Sequence, residues 1–296
     1  MKILISGGTG FLGTYLTQSF LEKDHEVFIL TRRDITSARK NLYYIKWDGI
    51  NVPSDFKEDI DVVINLAGED ILNKWWTEKQ KRIILNSRLN ATSGCVNFIN
   101  NTPSVRRFFS ASAVAYYGVY PDKKHVFTES SPVGKGFLSH VAYQWESVAM
   151  RSKVSPVLMR FGIVLAKDAK AFKLMYKNFL KYAAGYLKPG AQGFPWIHIQ
   201  DVVGAINTLI EKEETGPLNF VAPELISNYE FAKTLATYVN KKTLFPVPEL
   251  VARTILGSER SKVLTRGQYV VPERLSANYD FLYPTVKSAL DEILKK

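Results

Sequence analysis

Three glycines at a three-residue spacing, Gly7, Gly10 and Gly13, stand between a short apolar run and an amphipathic stretch. In that setting one glycine lets the chain turn sharply out of a strand. The next lets the backbone approach a pyrophosphate, and the third lets a helix pack close to a sheet. The helix N-terminus offers free N–H groups and a positive dipole end to the phosphates. Arg32 and Arg33 add two guanidinium groups, and Arg88 adds another. Ser112, Tyr116 and Tyr117 bring hydroxyls close together in sequence, and His198 brings an imidazole. The chemistry these types suit is hydride transfer with a bound dinucleotide. A hydroxyl or imidazole would hold or move the proton.

The elements that must position these groups follow from hydrophobic periodicity. Lys2–Ser6 reads as a strand buried on both faces. A helix is expected from Phe11 to Asp24, and a second strand from Glu26 to Leu30, ending at Thr31-Arg32-Arg33. The residue at that tip meets the adenosine ribose. An acid there favours NAD, whereas an arginine pairs with a 2′-phosphate and favours NADP. Arg32 therefore predicts NADP, although a shift of one residue would bring in Asp34 and an NAD-type acid. Leu42–Trp47 and Asp61–Leu66 are the next strands. Asn65 to Gly68, small residues after a parallel strand, should border the cofactor. On the helix expected from Thr77 to Ile99, Ile84, Ser87, Arg88, Ala91 and Cys95 share a face. Arg88 there either reaches the cofactor phosphates or a carboxylate, or packs its stem and sends its head to water.

Phe108–Val114 is the fifth strand, with Ser112, Tyr116 and Tyr117 at its end, where a nicotinamide ring and a substrate carbonyl would meet. A helix over Leu138–Arg151 and a sixth strand over Val157–Leu165 complete a doubly wound parallel sheet. Lys170–Tyr182 is a basic amphipathic segment whose apolar face packs or closes over a substrate. Gly185–Pro195 reads as a loop. His198 has no acid or nucleophile at a telling spacing, which favours a structural hydrogen bond. A short strand over Leu218–Ala222 and several helices reach Lys296.

The 296 residues are 46% hydrophobic and 23% charged, enough for one large or two modest domains with a sizeable core. The single cysteine, Cys95, excludes an intrachain disulfide and suggests a reducing compartment. With no signal peptide visible and no apolar run long enough to span a bilayer, a cytoplasmic protein is expected. Net charge is +11, but the basic residues are scattered, so neither a nucleic-acid nor a membrane partner is expected. No cluster with metal-ligand spacing appears, and no metal is expected.

Gly7-Gly8-Thr9-Gly10-Phe11-Leu12-Gly13 resembles the cofactor turn of extended and atypical short-chain dehydrogenase/reductases. Asn65-Leu66-Ala67-Gly68-Glu69, Ser87-Arg88, Ser110-Ala111-Ser112-Ala113-Val114, Tyr116-Tyr117-Gly118, Arg160-Phe161-Gly162, Trp196-Ile197-His198-Ile199, Val221-Ala222-Pro223 and Val271-Pro272-Glu273-Arg274 narrow the likeness. Together they resemble the YfcH-like epimerase family, grouped with the NAD-dependent epimerases and dehydratases. The resemblance implies a Rossmann-like α/β domain over 1–166, with 197–214 returning to it. A smaller C-terminal α/β substrate or lid domain would take 167–196 and 215–296, with a DUF1731-like end. It also implies bound NADPH, touching Gly7, Thr9, Gly10, Phe11, Leu12, Gly13, Thr31, Arg32, Leu66, Ala67, Gly68, Arg88, Ser110 and Ile163.

One departure matters. Active short-chain dehydrogenases use a Tyr-x-x-x-Lys pair, the lysine lowering the tyrosine pKa. Anchored on Glu146, those places fall on Leu138 and Ala142, and Tyr143 has Ser147 four residues on. Two readings follow. In one, the chain is an NADP-dependent oxidoreductase or epimerase in which Ser112 polarises the substrate oxygen and Tyr116, Tyr117 or His198 is the acid–base group. Its substrate would be a sugar nucleotide or a carbonyl compound, and a homodimer is compatible with it. In the other, the chain is an NADPH-binding sensor with little turnover.

Overall fold

A computed structural model of the chain describes residues 1–72, 74–181, 185–240 and 245–295. Tyr182 and Lys296, the expected ends of two stretches, lie outside them. The elements begin with β1 (Lys2–Ser6), α1 (Phe11–Glu22), β2 (Glu26–Thr31), β3 (Leu42–Lys46), β4 (Val62–Asn65), α2 (Glu78–Asn100) and β5 (Arg107–Ala113). A 3-10 turn, Val114–Tyr117, follows, then β6 (Val126–Phe127), α3 (Phe137–Ala149), β7 (Pro156–Phe161), β8 (Ile163–Leu165), α4 (Lys170–Lys181) and β9 (Gly185–Leu187). The chain continues through β10 (Trp196–His198), α5 (Ile199–Ile210), β11 (Gly216–Phe220), α6 (Asn228–Tyr238) and β12 (Phe245–Val247). It ends with α7 (Glu249–Leu256), α8 (Ser258–Thr265), β13 (Tyr269–Val270), α9 (Glu273–Ser276) and α10 (Val286–Ile293).

Seven strands form one sheet in the order β11-β7-β5-β4-β1-β2-β3. The pairs β1–β2, β2–β3, β1–β4 and β4–β5 are parallel. The order reverses beside β1, between β2 and β4, which is the Rossmann-like arrangement that leaves a ligand crevice at the strand ends. Strands buried on both faces explain the continuous apolar runs. Leu4, Phe28, Val63 and Phe108 point into a core with Ala91, Cys95 and Ile99 of α2 and Ala149 of α3. Ile3, Ile5, Val27 and Ile29 alternate with them and are equally buried, and α1 packs on β2 with Leu16 and Phe20 fully covered.

Contacts group the chain into two compact units, residues 1–112, 140–159 and 206–217, and residues 113–139, 160–205 and 218–296. Residues 113–139, 160–166 and 197–205, expected in the first domain from the resemblance, group with the second unit, and 215–217, expected in the second, group with the first. The expected strand over Val157–Leu165 is in fact two. It breaks at Gly162, where a Cβ would come within 2.8 Å of the Pro195 carbonyl oxygen. Beyond the break, β8 leaves the large sheet and pairs with β10, Trp196 opposite Ile163. The expected loop over 185–195 contains β9, which pairs with β12 through Gly185 and Phe245. Phe172 and Phe179 of α4 are buried, so its apolar face packs.

Within the second unit, the buried Asp201 carboxylate gathers the C-terminal chain. It accepts hydrogen bonds from the Tyr279 hydroxyl at 3.1 Å and from the Leu282 and Tyr283 N–H groups at 2.7 and 3.1 Å. A capping box between Ser227 and Glu230 starts α6.

Candidate functional site

The first unit carries the glycine turn. Gly7 has φ +75°, and a Cβ there would lie 2.8–2.9 Å from the Leu66 and Ala67 backbone. Only glycine lets the end of β1 lie this close to the end of β4. Gly10 is the N-cap of α1 and no side chain caps the first turn, so those N–H groups stay available to an anion. A Cβ on Gly10 would approach only the Gly7 carbonyl oxygen, at 3.1 Å, with open space elsewhere. A Cβ on Gly13 would collide with Gly7 and Gly8, so α1 can start against β1 only with glycine there. Thr9 is exposed and Phe11 and Leu12 are half-buried around the same turn.

β2 ends on Thr31, which is buried and accepts the Arg33 N–H at 3.2 Å. Arg32 is the first residue past the strand. It is exposed and forms no hydrogen bond or ion pair among the described residues. Asp34, two positions further, meets Lys46 at 3.3 Å. The guanidinium, not the acid, is the group left at the strand tip.

Beneath this rim runs a buried polar row in register across three strands: Ser6, Asn65 and Ser110. Ser6 donates to Asn65 at 2.6 Å, and the Asn65 amide donates to Thr92 of α2 at 2.8 Å and to Ser110 at 3.4 Å. Two residues on from Ser110, and so on the same face of β5, the buried Ser112 hydroxyl donates to Glu146 of α3 at 2.6 Å. Gly68 packs against Arg88, whose guanidinium carbon would lie 3.1 Å from a Cβ there.

Arg88 is half-buried. Its Nη1 donates to the Glu69 and Ile84 carbonyl oxygens at 3.1 and 3.0 Å, and its guanidinium stands 5.0 Å from the centroid of the Trp145 ring. It forms no ion pair among the described residues. Burial holds its pKa down to about 10, with Asp70 and Glu69 pulling the other way. Of the three alternatives read from spacing, a carboxylate pair is the one this geometry lacks. Trp145 and Glu146, which spacing did not single out as site residues, sit side by side on α3 and meet Arg88 and Ser112. The signal available in the sequence was their place one turn after Ala142.

The second unit carries the other candidates. Tyr117 is fully buried. Its hydroxyl donates to Asn219 at 2.6 Å and accepts from Arg160 at 2.9 Å, and burial pushes its pKa to about 12 against the pull of Arg160. Tyr116 is half-buried, with the Arg160 guanidinium 3.6 Å from its ring centroid. His198 is fully buried. Its Nδ1 accepts the Gln200 N–H at 3.2 Å, which assigns the proton to Nε2, 3.0 Å from Glu292. Burial lowers the His198 pKa and Glu292 opposes the shift. Ile163 is half-buried on β8.

The family model described as NAD dependent epimerase/dehydratase matches residues 3–221. The chain belongs to that family. A second family model, a domain of unknown function called DUF1731, matches residues 247–293. Among relatives in this epimerase family, the epimerase family protein SSP1921 of Staphylococcus saprophyticus is 37% identical over 300 residues, 98% of each chain. The human epimerase family protein SDR39U1 is 33% identical over 305 residues, covering 99% of this chain and 100% of the relative. The crystal structure of human SDR39U1 with NADPH has a TM-score of 0.90 to this chain, at 32% identity and full coverage of both. A dTDP-glucose 4,6-dehydratase of Bacillus anthracis in complex with NAD, 16% identical, has a TM-score of 0.76 over 100% of this chain and 96% of its own, a likeness of fold.

Proposed function

We propose that the chain binds NADP(H) through its first unit and uses it as an oxidoreductase or epimerase on a carbonyl compound or sugar nucleotide. The observation that carries the cofactor reading is the pairing at the β2 tip: Arg32 exposed with no ion pair among the described residues, and Asp34 turned to Lys46. The uncapped α1 start and the space around Gly10 suit a pyrophosphate. The NADPH named with SDR39U1 supports the same choice.

The bound nicotinamide would supply a hydride donor or acceptor. The chain's own residues must then handle the proton. Ser112 gives its hydrogen to Glu146, so its oxygen is left to act as an acceptor. That suits taking the hydrogen of a substrate hydroxyl better than donating to a carbonyl. Tyr117 and His198 are sealed in internal hydrogen bonds. Tyr116 is the candidate acid–base group that keeps part of its surface.

A second reading has its own support. Leu138 and Ala142 stand where the family's tyrosine and lysine would be, and two of the three remaining proton donors are buried. This favours an NADPH-binding sensor with slow turnover.

The test is titration of the purified chain with NADPH and NADH, read by nicotinamide fluorescence, followed by a carbonyl and sugar-nucleotide library with loss of reduced nicotinamide as the readout. Preference for NADPH supports the cofactor reading, and no binding of either overturns it. Turnover then favours the enzyme, and tight binding without turnover favours the sensor.

A further inference from the structure

We infer that Trp145 is a positioning residue for the cofactor: its indole face holds the Arg88 guanidinium flat at the phosphate-binding rim. The inference rests on the NADP(H) reading above. Arg88 is a half-buried cation with no ion pair among the described residues. Two carbonyl oxygens take hydrogens from Nη1 only. Those two bonds fix one corner of the group, and a planar guanidinium can still swing about that corner. The Trp145 ring, 5.0 Å away, supplies the surface that sets its plane.

A second observation concerns the indole N–H. Trp145 Nε1 is buried and has no hydrogen-bond partner among the described residues, a condition it shares with the buried Trp47 and Trp196. A tryptophan kept only to fill the core would leave that donor unsatisfied at a cost, and phenylalanine would fill much of the same space without it. A wide, electron-rich face under a cation gives the larger ring a use, because indole is the best of the aromatic faces for this contact. Gly68 belongs to the same arrangement. Its missing side chain lets the loop after β4 lie against the Arg88 guanidinium. Loop and ring therefore both flank the cation, and the remaining guanidinium N–H groups are the ones an anion can take.

The experiment compares NADPH dissociation constants for the intact chain and four variants, with melting temperature recorded for each. Trp145→Phe keeps a smaller aromatic face and loses the second ring with its unpaired donor, so affinity should fall by no more than about threefold. Trp145→Leu keeps apolar bulk and loses the face, and affinity should fall roughly tenfold. Arg88→Lys keeps the charge but cannot lie flat, and should lose a similar factor. In an Arg88→Ala background, Trp145→Leu should cost nothing further. A Trp145→Leu chain that binds NADPH as the unchanged one does overturns the inference and leaves the cofactor reading standing. Equal losses from Trp145→Leu with and without Arg88 overturn it too, since they mean general loosening. Should Trp145→Leu not fold, Arg88→Lys decides: unchanged affinity overturns the inference and a tenfold loss supports it. Failure of the unchanged chain to bind any pyridine dinucleotide removes the cofactor reading and the inference together.

Discussion

Arg32 is a single exposed side chain, and its importance lies in what it does not touch. A guanidinium that forms no ion pair among the described residues keeps its donors for a phosphate, and bidentate pairing with phosphate is among the stronger hydrogen-bonded contacts. Arg32→Ala should weaken NADPH binding by about 10- to 100-fold and NADH binding by far less, as read by fluorescence titration. Asp34→Ala should leave that preference in place, because its carboxylate is already on Lys46. The two tyrosines at the end of β5 should separate in a parallel way. Tyr117→Phe strands the Asn219 oxygen and an Arg160 N–H, and should cost about 1–3 kcal/mol of stability in denaturant titrations. Tyr116→Phe should leave stability within about 0.5 kcal/mol, since its hydroxyl makes no hydrogen bond among the described residues, and should abolish any turnover the chain has.

At the scale of elements, the junction of β1 and α1 is the part most tightly determined. Gly13 lets the first turn of α1 touch Gly7 and Gly8, and no larger residue fits. Gly13→Ala should lift α1 from the strand and move the phosphate-facing N–H groups with it. The expected result is loss of dinucleotide binding together with a lower melting temperature, measured by fluorescence titration and thermal denaturation. Retained affinity would mean the helix start does not face the phosphates. This junction was legible in the sequence because glycine spacing, strand pattern and helix pattern all constrain the same few residues. The break at Gly162 was not. Residues 157–165 read as one apolar strand because periodicity cannot distinguish a continuous strand from two strands buried in different sheets. The partner that diverts the second half, β10, arrives some thirty residues later.

At the scale of the whole molecule, the C-terminal segment is held by buried ionisable groups, and this makes stability depend on pH. His198 has its pKa lowered from 6.5 by burial, with Glu292 opposing, and the Tyr283 ring lies 4.1 Å away. The unfolded chain therefore takes up this proton first, and the stability His198 contributes above pH 6.5 is lost as pH falls through its folded value. His25, also lowered by burial, acts with the same sign. Asp201 is raised by burial, so its share is present at low pH and lost as pH rises through its folded value. The window just below pH 6.5 thus belongs to the histidines. Melting temperature should fall from pH 7.5 to pH 5.5, and His198→Gln should flatten that fall without abolishing it, because His25 remains. An unchanged slope in His198→Gln would show that the imidazole titrates alike in both states.

Sequence alone determined the Rossmann-like crossing of strands and helices, the glycine turn and the guanidinium at the β2 tip. These are local features, each written in residues a few positions apart, where backbone sterics and hydrophobic period leave few alternatives. The tertiary structure decided which polar groups remain available. That Ser112 gives its hydrogen to Glu146, that Tyr117 is locked between Arg160 and Asn219, and that Trp145 lies under Arg88 are pairings across 34, 43, 102 and 57 residues. Spacing along the chain carries no record of such partners. A hydroxyl or guanidinium is chemically available only when folding has not already supplied it with one.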